Sequence, residues 1–139
     1  MLFREREMGE KRIVIYSADS SSGSLLEAML SGLGAEVVEV ESKERLLAIV
    51  ASLRPSLVII SHIAPLINGC DIALRLRSEL RAHHPAARRT PIFVVAWQQS
   101  EQMVLSLIES GIDQLLTFPI SIERLRHKAS EELGSTARR

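Results

Sequence analysis

Pro55-Ser56-Leu57-Val58-Ile59-Ile60-Ser61 decides how this chain folds. Leu57 to Ile60 is an unbroken apolar run, rich in β-branched residues, opened by a proline and closed by a serine. It has no polar face, so it reads as a strand buried on both sides, the habit of a parallel sheet covered by helices above and below. Upstream, Ser42 to Leu53 reads as an amphipathic helix with Leu46, Leu47, Val50 and Leu53 inward. Glu36-Val37-Val38-Glu39-Val40-Glu41 alternates with acidic residues, as an edge strand does when charge protects it from mispairing. Leu25, Leu26, Met29, Leu30 and Leu33 recur at helical spacing; Ser24 and Glu27 have the spacing of a capping box, and Gly32 and Gly34 stop the helix. Arg12 to Tyr16 reads as the first strand, running into small polar residues from Ser17 to Ser24.

Downstream the same alternation continues. Ile72 to Leu80 is predicted as a helix, Pro91 to Ala96 as a strand, and Glu101 to Ser110 as a helix stopped at Gly111. Gln114 to Thr117 is a short strand and Ile122 to Leu133 a last helix. Five strand–helix units imply an open, doubly wound parallel sheet with helices on both faces. No linker divides residues 11–133, and residues 1–10 and 134–139 read as flexible tails.

Composition bounds the partners. The chain has 139 residues, 46% of them hydrophobic but only 4% aromatic, so its core is aliphatic. Seventeen basic and seventeen acidic side chains cancel, leaving no global attraction for nucleic acid or an anionic membrane. The basic excess is local: residues 53–99 carry six Lys/Arg against two Asp/Glu. Cys70 is the single cysteine, which forbids an internal disulfide and suits a reducing cytosol. No apolar run has the length of a membrane helix, and the charged start MLFREREMGEKR lacks a signal peptide's apolar segment. The expectation is a cytoplasmic domain without a membrane or nucleic-acid partner.

Four segments together resemble the response-regulator receiver (CheY-like) domain over about residues 11–133. Pro55 to Ser61 is similar to that family's "PDLVLLD", with Pro65, Asn68 and Gly69 matching the residues that follow. Thr90-Pro91-Ile92-Phe93-Val94-Val95 resembles "TPIIVL", and Gly111 to Pro119 resembles "GADDYLTKP". Only Arg81 to Thr90 is longer than the pattern. The resemblance implies a five-stranded flavodoxin-like three-layer sandwich in strand order 2-1-3-4-5, with the first and last helices together. It also implies a place in bacterial two-component signalling.

The family's reaction is magnesium-dependent transfer of a phosphoryl group to an aspartate. It needs acids to hold the metal, a carboxylate nucleophile, and a hydroxyl and a lysine to bind the phosphoryl oxygens. Carried over residue by residue, the acid pair falls at Ser17 and Ala18, the phosphoacceptor at Ser61, the hydroxyl at Ala96 and the lysine at Phe118. Asp19 alone keeps a carboxylate nearby, and reads as a helix N-terminal charge. The resemblance then implies a pseudo-receiver: no catalysis, no metal, no cofactor, and signalling by protein–protein contact independent of aspartyl phosphorylation. Losing the clustered carboxylates also removes a like-charge repulsion that an ion would otherwise have to offset.

Other candidates are weighed against simpler roles. Ser61 with His62 is a poor nucleophile and base, because adjacent strand residues point to opposite faces. Ser20-Ser21-Ser22-Gly23-Ser24, ahead of a helix, suggests a second function, sensing a small anion at the Ser17–Ser24 loop, against the simpler reading of a capped turn. Phe118 either fills the emptied pocket or turns to a partner, and filling is preferred. Trp97 is expected near the same edge, partly exposed, and joins Phe118 among the candidate partner-binding residues. Met103, Val104, Leu105, Leu107 and Ile108 exceed what one covering helix needs; with Leu105 and Ile108 inward, Met103, Val104 and Leu107 are left to face a partner or a second copy. The resemblance places that docking face on the fourth helix, fifth strand and fifth helix. Arg75, Arg77, Arg81, His83, His84, Arg88 and Arg89 read as a solvated basic segment. His83 and His84 are poorly spaced for one metal, and Cys70 reads as a packing residue.

Overall fold

The apolar run at Leu57–Ile60 becomes the middle strand of the sheet, and every residue of that strand is buried. In the computed structural model, which describes residues 11–17, 20–61, 69–85, 89–96 and 100–137, five strands alternate with five helices. They are β1 (Lys11–Ser17), α1 (Ser20–Met29), β2 (Ala35–Val40), α2 (Lys43–Ser52), β3 (Leu57–Ser61), α3 (Gly69–His83), β4 (Ile92–Ala96), α4 (Glu101–Glu109), β5 (Gln114–Thr117) and α5 (Ile122–Ala137). The order across the sheet is β2-β1-β3-β4-β5, all parallel, as expected. The chain is a doubly wound α/β sandwich.

Two-residue alternation along the strands sorts the core into two layers. Val14, Val58, Ile60, Val94 and Ala96 face α2, α3 and α4, where Leu46, Val50, Leu76 and Leu107 meet them. Ile13, Ile15, Ile59, Phe93 and Val95 face α1 and α5, against Leu26, Leu30, Leu125 and Ala129. The Arg126 guanidinium of α5 donates to the carbonyls of Met29 (2.9 Å) and Ser31 (2.6 Å). It thereby caps the carbonyl end of α1 and fixes the two helices side by side.

Helix ends follow local chemistry. The hydroxyls of Ser42, Ser100 and Ser121 accept from the backbone N–H groups of Arg45, Met103 and Arg124, each satisfying one orphan donor of a first turn. Gly32, Gly34 and Gly111 take positive φ, the conformation that ends a helix most cheaply on a glycine. Two boundaries differ from expectation. α1 begins at Ser20, so Ser24 lies inside the helix, exposed, and the Ser24–Glu27 capping box does not form. α5 runs past Leu133 to Ala137, into the stretch expected to be tail.

The face of α4 is the larger correction. Leu107 is fully buried and Met103 is packed against the same core, whereas Leu105 and Ile108 are 59% and 55% exposed. The inward stripe is Met103, Leu107 and Ser110, spaced four and three apart, with Ser110 buried. Leu107 therefore cannot belong to a docking face, and Leu105 and Ile108 take the outward place assigned to it. Val104 is half-buried.

Candidate functional site

In the family's pattern the reacting groups sit where β1, β3, β4 and β5 end. Ser17 and Ser61 are register partners there, the last residues of adjacent strands, and Ala96 is paired with Thr117 across β4 and β5. Alternation puts Ser17 and Ser61 on the α1/α5 side, in line with Ile15 and Ile59, and Ala96 on the other side. Ser17 is 3% exposed, Ser61 1% and Ala96 not at all.

α1 closes on this end through Gly23. A Cβ there would stand 3.4 Å from the Cβ of Ser17 and 3.3 Å from Oε1 of Glu39, so the α1 backbone packs close against the end of β1. Phe118 follows β5, its backbone N–H bonded to the Ala96 carbonyl at 2.9 Å. Phe118 is half-buried, its ring packed against the α1/α5 core. Ala18, Asp19, His62, Pro65, Asn68 and Trp97 lie outside the described residues, as do the side chains of Ser20, Ser21, Ser22 and Cys70. Because α1 starts at Ser20, much of the expected Ser17–Ser24 loop is helix.

The side chains described at this edge do not fit a magnesium ion. Magnesium is held in proteins through carboxylates that bring charge as well as oxygen, and Ser17, Ser61 and Ala96 bring none. Among the described residues, no group of three or more His, Cys, Asp or Glu side chains is placed to hold a metal. Among the described residues, Glu39 of the edge strand β2 lies beside Gly23, which also adjoins Ser17, and Glu27 is on α1. The hydrogen bond between Glu39 and Glu27, then burial, then the charges of Glu27 and Glu41, push the Glu39 carboxyl above its usual range.

The opposite end of the sheet is where charge is organised. Asp113, just ahead of β5, accepts the backbone N–H of Ile92 at 2.7 Å and the Arg77 guanidinium at 3.1 Å, and it also pairs with Arg89. Arg77 reaches from α3 to donate to the carbonyls of Thr90 (2.6 Å) and Gly111 (2.7 Å). Its Nε is buried with no hydrogen-bond partner among the described residues. Burial, then the charge of Arg89, pulls this guanidinium below its usual range, with Asp113 pulling the other way. Beside this network, Arg54, Arg77, Arg81, His84, Arg89 and Thr90 line a cleft of about 190 Å³. Most of these arginines belong to the segment that reads in sequence as solvated, and Asp113 carries no expected role there; an acid directly ahead of a strand and a run of arginines elsewhere are the signals of the pairing.

At the outer edge, Leu115, Thr117, Pro119, Ile120, Ser121 and Arg124 line a groove of about 300 Å³ along β5 and the start of α5. Leu105 and Ile108 on α4 and Ile122 on α5 are exposed apolar residues of the same two helices. Among the described residues, no helix is long and apolar enough to cross a membrane.

Comparison with known proteins agrees with this architecture. The DNA-binding response regulator MtrA of Mycobacterium tuberculosis is 26% identical over 115 residues, which are 83% of this chain and 47% of that protein. The chain thus spans about half the length of the curated relatives it matches. A receiver domain of a Francisella response regulator superposes with a TM-score of 0.74 at 16% identity, covering 91% of this chain and 99% of the other. A response regulator from Chloroflexus aurantiacus gives 0.73 at 24% identity, covering 90% and 98%. The family described as the response regulator receiver domain matches residues 13–130, and with the strand order and the two-sided core already in place, the chain belongs to that family.

Proposed function

We propose that this chain is a pseudo-receiver: a receiver domain that signals through protein contact, without accepting a phosphoryl group. One observation carries the reading. The strand ends that would supply the acceptor and metal ligands present Ser17 and Ser61 at 3% and 1% exposure, closed over by the glycine approach of α1. A serine hydroxyl there has no carboxylate charge with which to recruit magnesium, and aspartyl phosphorylation depends on that ion to offset charge on the transferring group. The domain is not an enzyme on this reading.

Contact with a partner, or with a second copy, is assigned to the α4–β5–α5 side. Leu105, Ile108 and Ile122 are apolar and exposed there, and Leu115, Thr117 and Arg124 line a groove along β5 and the start of α5. Leu25 on α1 and Leu74 on α3 are the other large apolar residues exposed among the described ones, so three of five lie on α4 and α5, and a joined apolar patch marks an interaction surface. MtrA is a DNA-binding response regulator, and the match spans only about half of it.

Two measurements test the proposal. Titration with magnesium, followed by amide chemical shifts, should leave Ser17 and Ser61 unmoved; saturable shifts centred on them would end the pseudo-receiver reading. Light scattering of the parent and of Leu105→Asp and Ile108→Asp locates the contact face. If the parent self-associates, these variants should be monomeric and folded, whereas Leu107→Asp, on a fully buried residue, should fail to fold.

A further inference from the structure

We propose that the cleft between α3 and the approach to β4, at the amino edge of the sheet, binds a small phosphate-bearing anion. This inference is independent of the protein-contact reading and uses the end of the sheet remote from Ser17 and Ser61. Four arginines line the cleft, Arg54, Arg77, Arg81 and Arg89, with His84 and Thr90. Among the described residues, Asp113 is the one carboxylate bonded to Arg77 and Arg89, and it also accepts the Ile92 N–H.

Arg77 and Arg89 are held in place by that engagement and by the carbonyls of Thr90 and Gly111. Arg54 and Arg81 have no hydrogen bond or ion pair among the described residues and are exposed at the rim. His84 is fixed by its Nε2, which donates to the Val50 carbonyl at 2.8 Å. The cleft therefore has preset walls and two guanidinium groups without a partner among the described residues, an arrangement that costs little reorganisation on binding.

The chemistry of the lining selects the ligand. Guanidinium forks suit the paired oxygens of a phosphate or carboxylate. The excess of cations over Asp113 matches a dianion better than a single carboxylate. The repulsion that Arg89 and Arg81 already exert on Arg77 is what such an anion relieves. At about 190 Å³, the space falls below the roughly 300–1,000 Å³ of pockets for drug-sized ligands, so it takes a phosphate or one phosphoryl head rather than a whole nucleotide.

The test is isothermal titration of the full chain at constant ionic strength. Its arms are inorganic phosphate, sugar phosphate, chloride as the ionic control and a short single-stranded oligonucleotide. Saturable binding of inorganic phosphate or sugar phosphate, weakened at least about tenfold in the double variant Arg54→Gln/Arg81→Gln with an unchanged melting temperature, supports the site. A stronger response to the sugar phosphate than to inorganic phosphate assigns the anion to an esterified head; the reverse assigns it to free phosphate. The control Arg75→Gln, outside this cleft, should bind as the parent does. No saturable phosphate binding, equal binding by the double variant, or oligonucleotide binding that phosphate does not compete for would each overturn the proposal.

Discussion

The two ends of the parallel sheet have opposite characters. At the carboxyl edge, Ser17, Ser61 and Ala96 are buried and uncharged. At the amino edge, Asp113, Arg77 and Arg89 form a hydrogen-bonded ionic network flanked by further arginines. Open α/β folds place their ligands at the carboxyl ends of strands, and the family's reaction belongs there. This chain keeps the frame that builds that crevice but organises its buried charge at the other end. A fold thus specifies where a site can form, and the side chains decide whether one does.

The contrast yields predictions of graded size. Replacing Asp113 with alanine should have the largest effect, because it leaves the Ile92 N–H without its acceptor and the largely buried Arg77 without its counter-charge. Breaking a buried pair from one side costs on the order of 3 kcal/mol, readable as a fall in the urea midpoint. A loss of a few tenths would mean that the amino-edge network contributes no structural stability.

Next in size is Ser61→Asp at the carboxyl edge. A carboxylate placed at a 1% exposed position without a counter-charge should cost about 2 kcal/mol at neutral pH. Burial raises the folded-state pKa of the introduced group, so the folded form holds its proton more tightly. Its stability is then greatest below the unfolded carboxylate pKa and is lost as pH rises through the folded value. A variant equally stable at every pH would show that this edge still carries a compensating cation.

The smallest effect concerns Glu39 of β2 and Glu27 of α1, which share a hydrogen bond. The Glu39 carboxyl is raised from 4.5, first by its hydrogen bond to Glu27. Protonation therefore favours the folded form: that contribution is full below 4.5 and disappears as pH climbs through the raised value. Glu39→Gln should accordingly raise neutral-pH stability by a few tenths of a kcal/mol, about the scale of surface pairs. The gain should vanish as the parent's carboxyl becomes protonated. Thermal melts across the acid range check the sign.

How far the sequence could be read follows from the same physics. Leu57–Ile60 could only be a two-sided buried strand, and β5 was placed at Gln114–Thr117 because Gly111 and Pro119 bracket it. The strand order needed the resemblance, since periodicity carries no information on neighbours. α4 was given the wrong face because five apolar residues in six saturate the helical period; Ser100 at the cap and buried Ser110 would have set the phase toward Met103 and Leu107. The five positions without the family's chemistry were legible as residue types. The cluster of Arg54, Arg77, Arg89 and Asp113 was not, because its members come from three separate connections and one helix, and only the fold brings them to one cleft.

Intact-mass spectrometry tests the central point most directly, after the purified chain is incubated with acetyl phosphate and excess magnesium. A buried, uncharged carboxyl edge predicts a mass unchanged from that of the untreated chain. A phosphoryl adduct that hydroxylamine removes, the signature of an acyl phosphate, would contradict it.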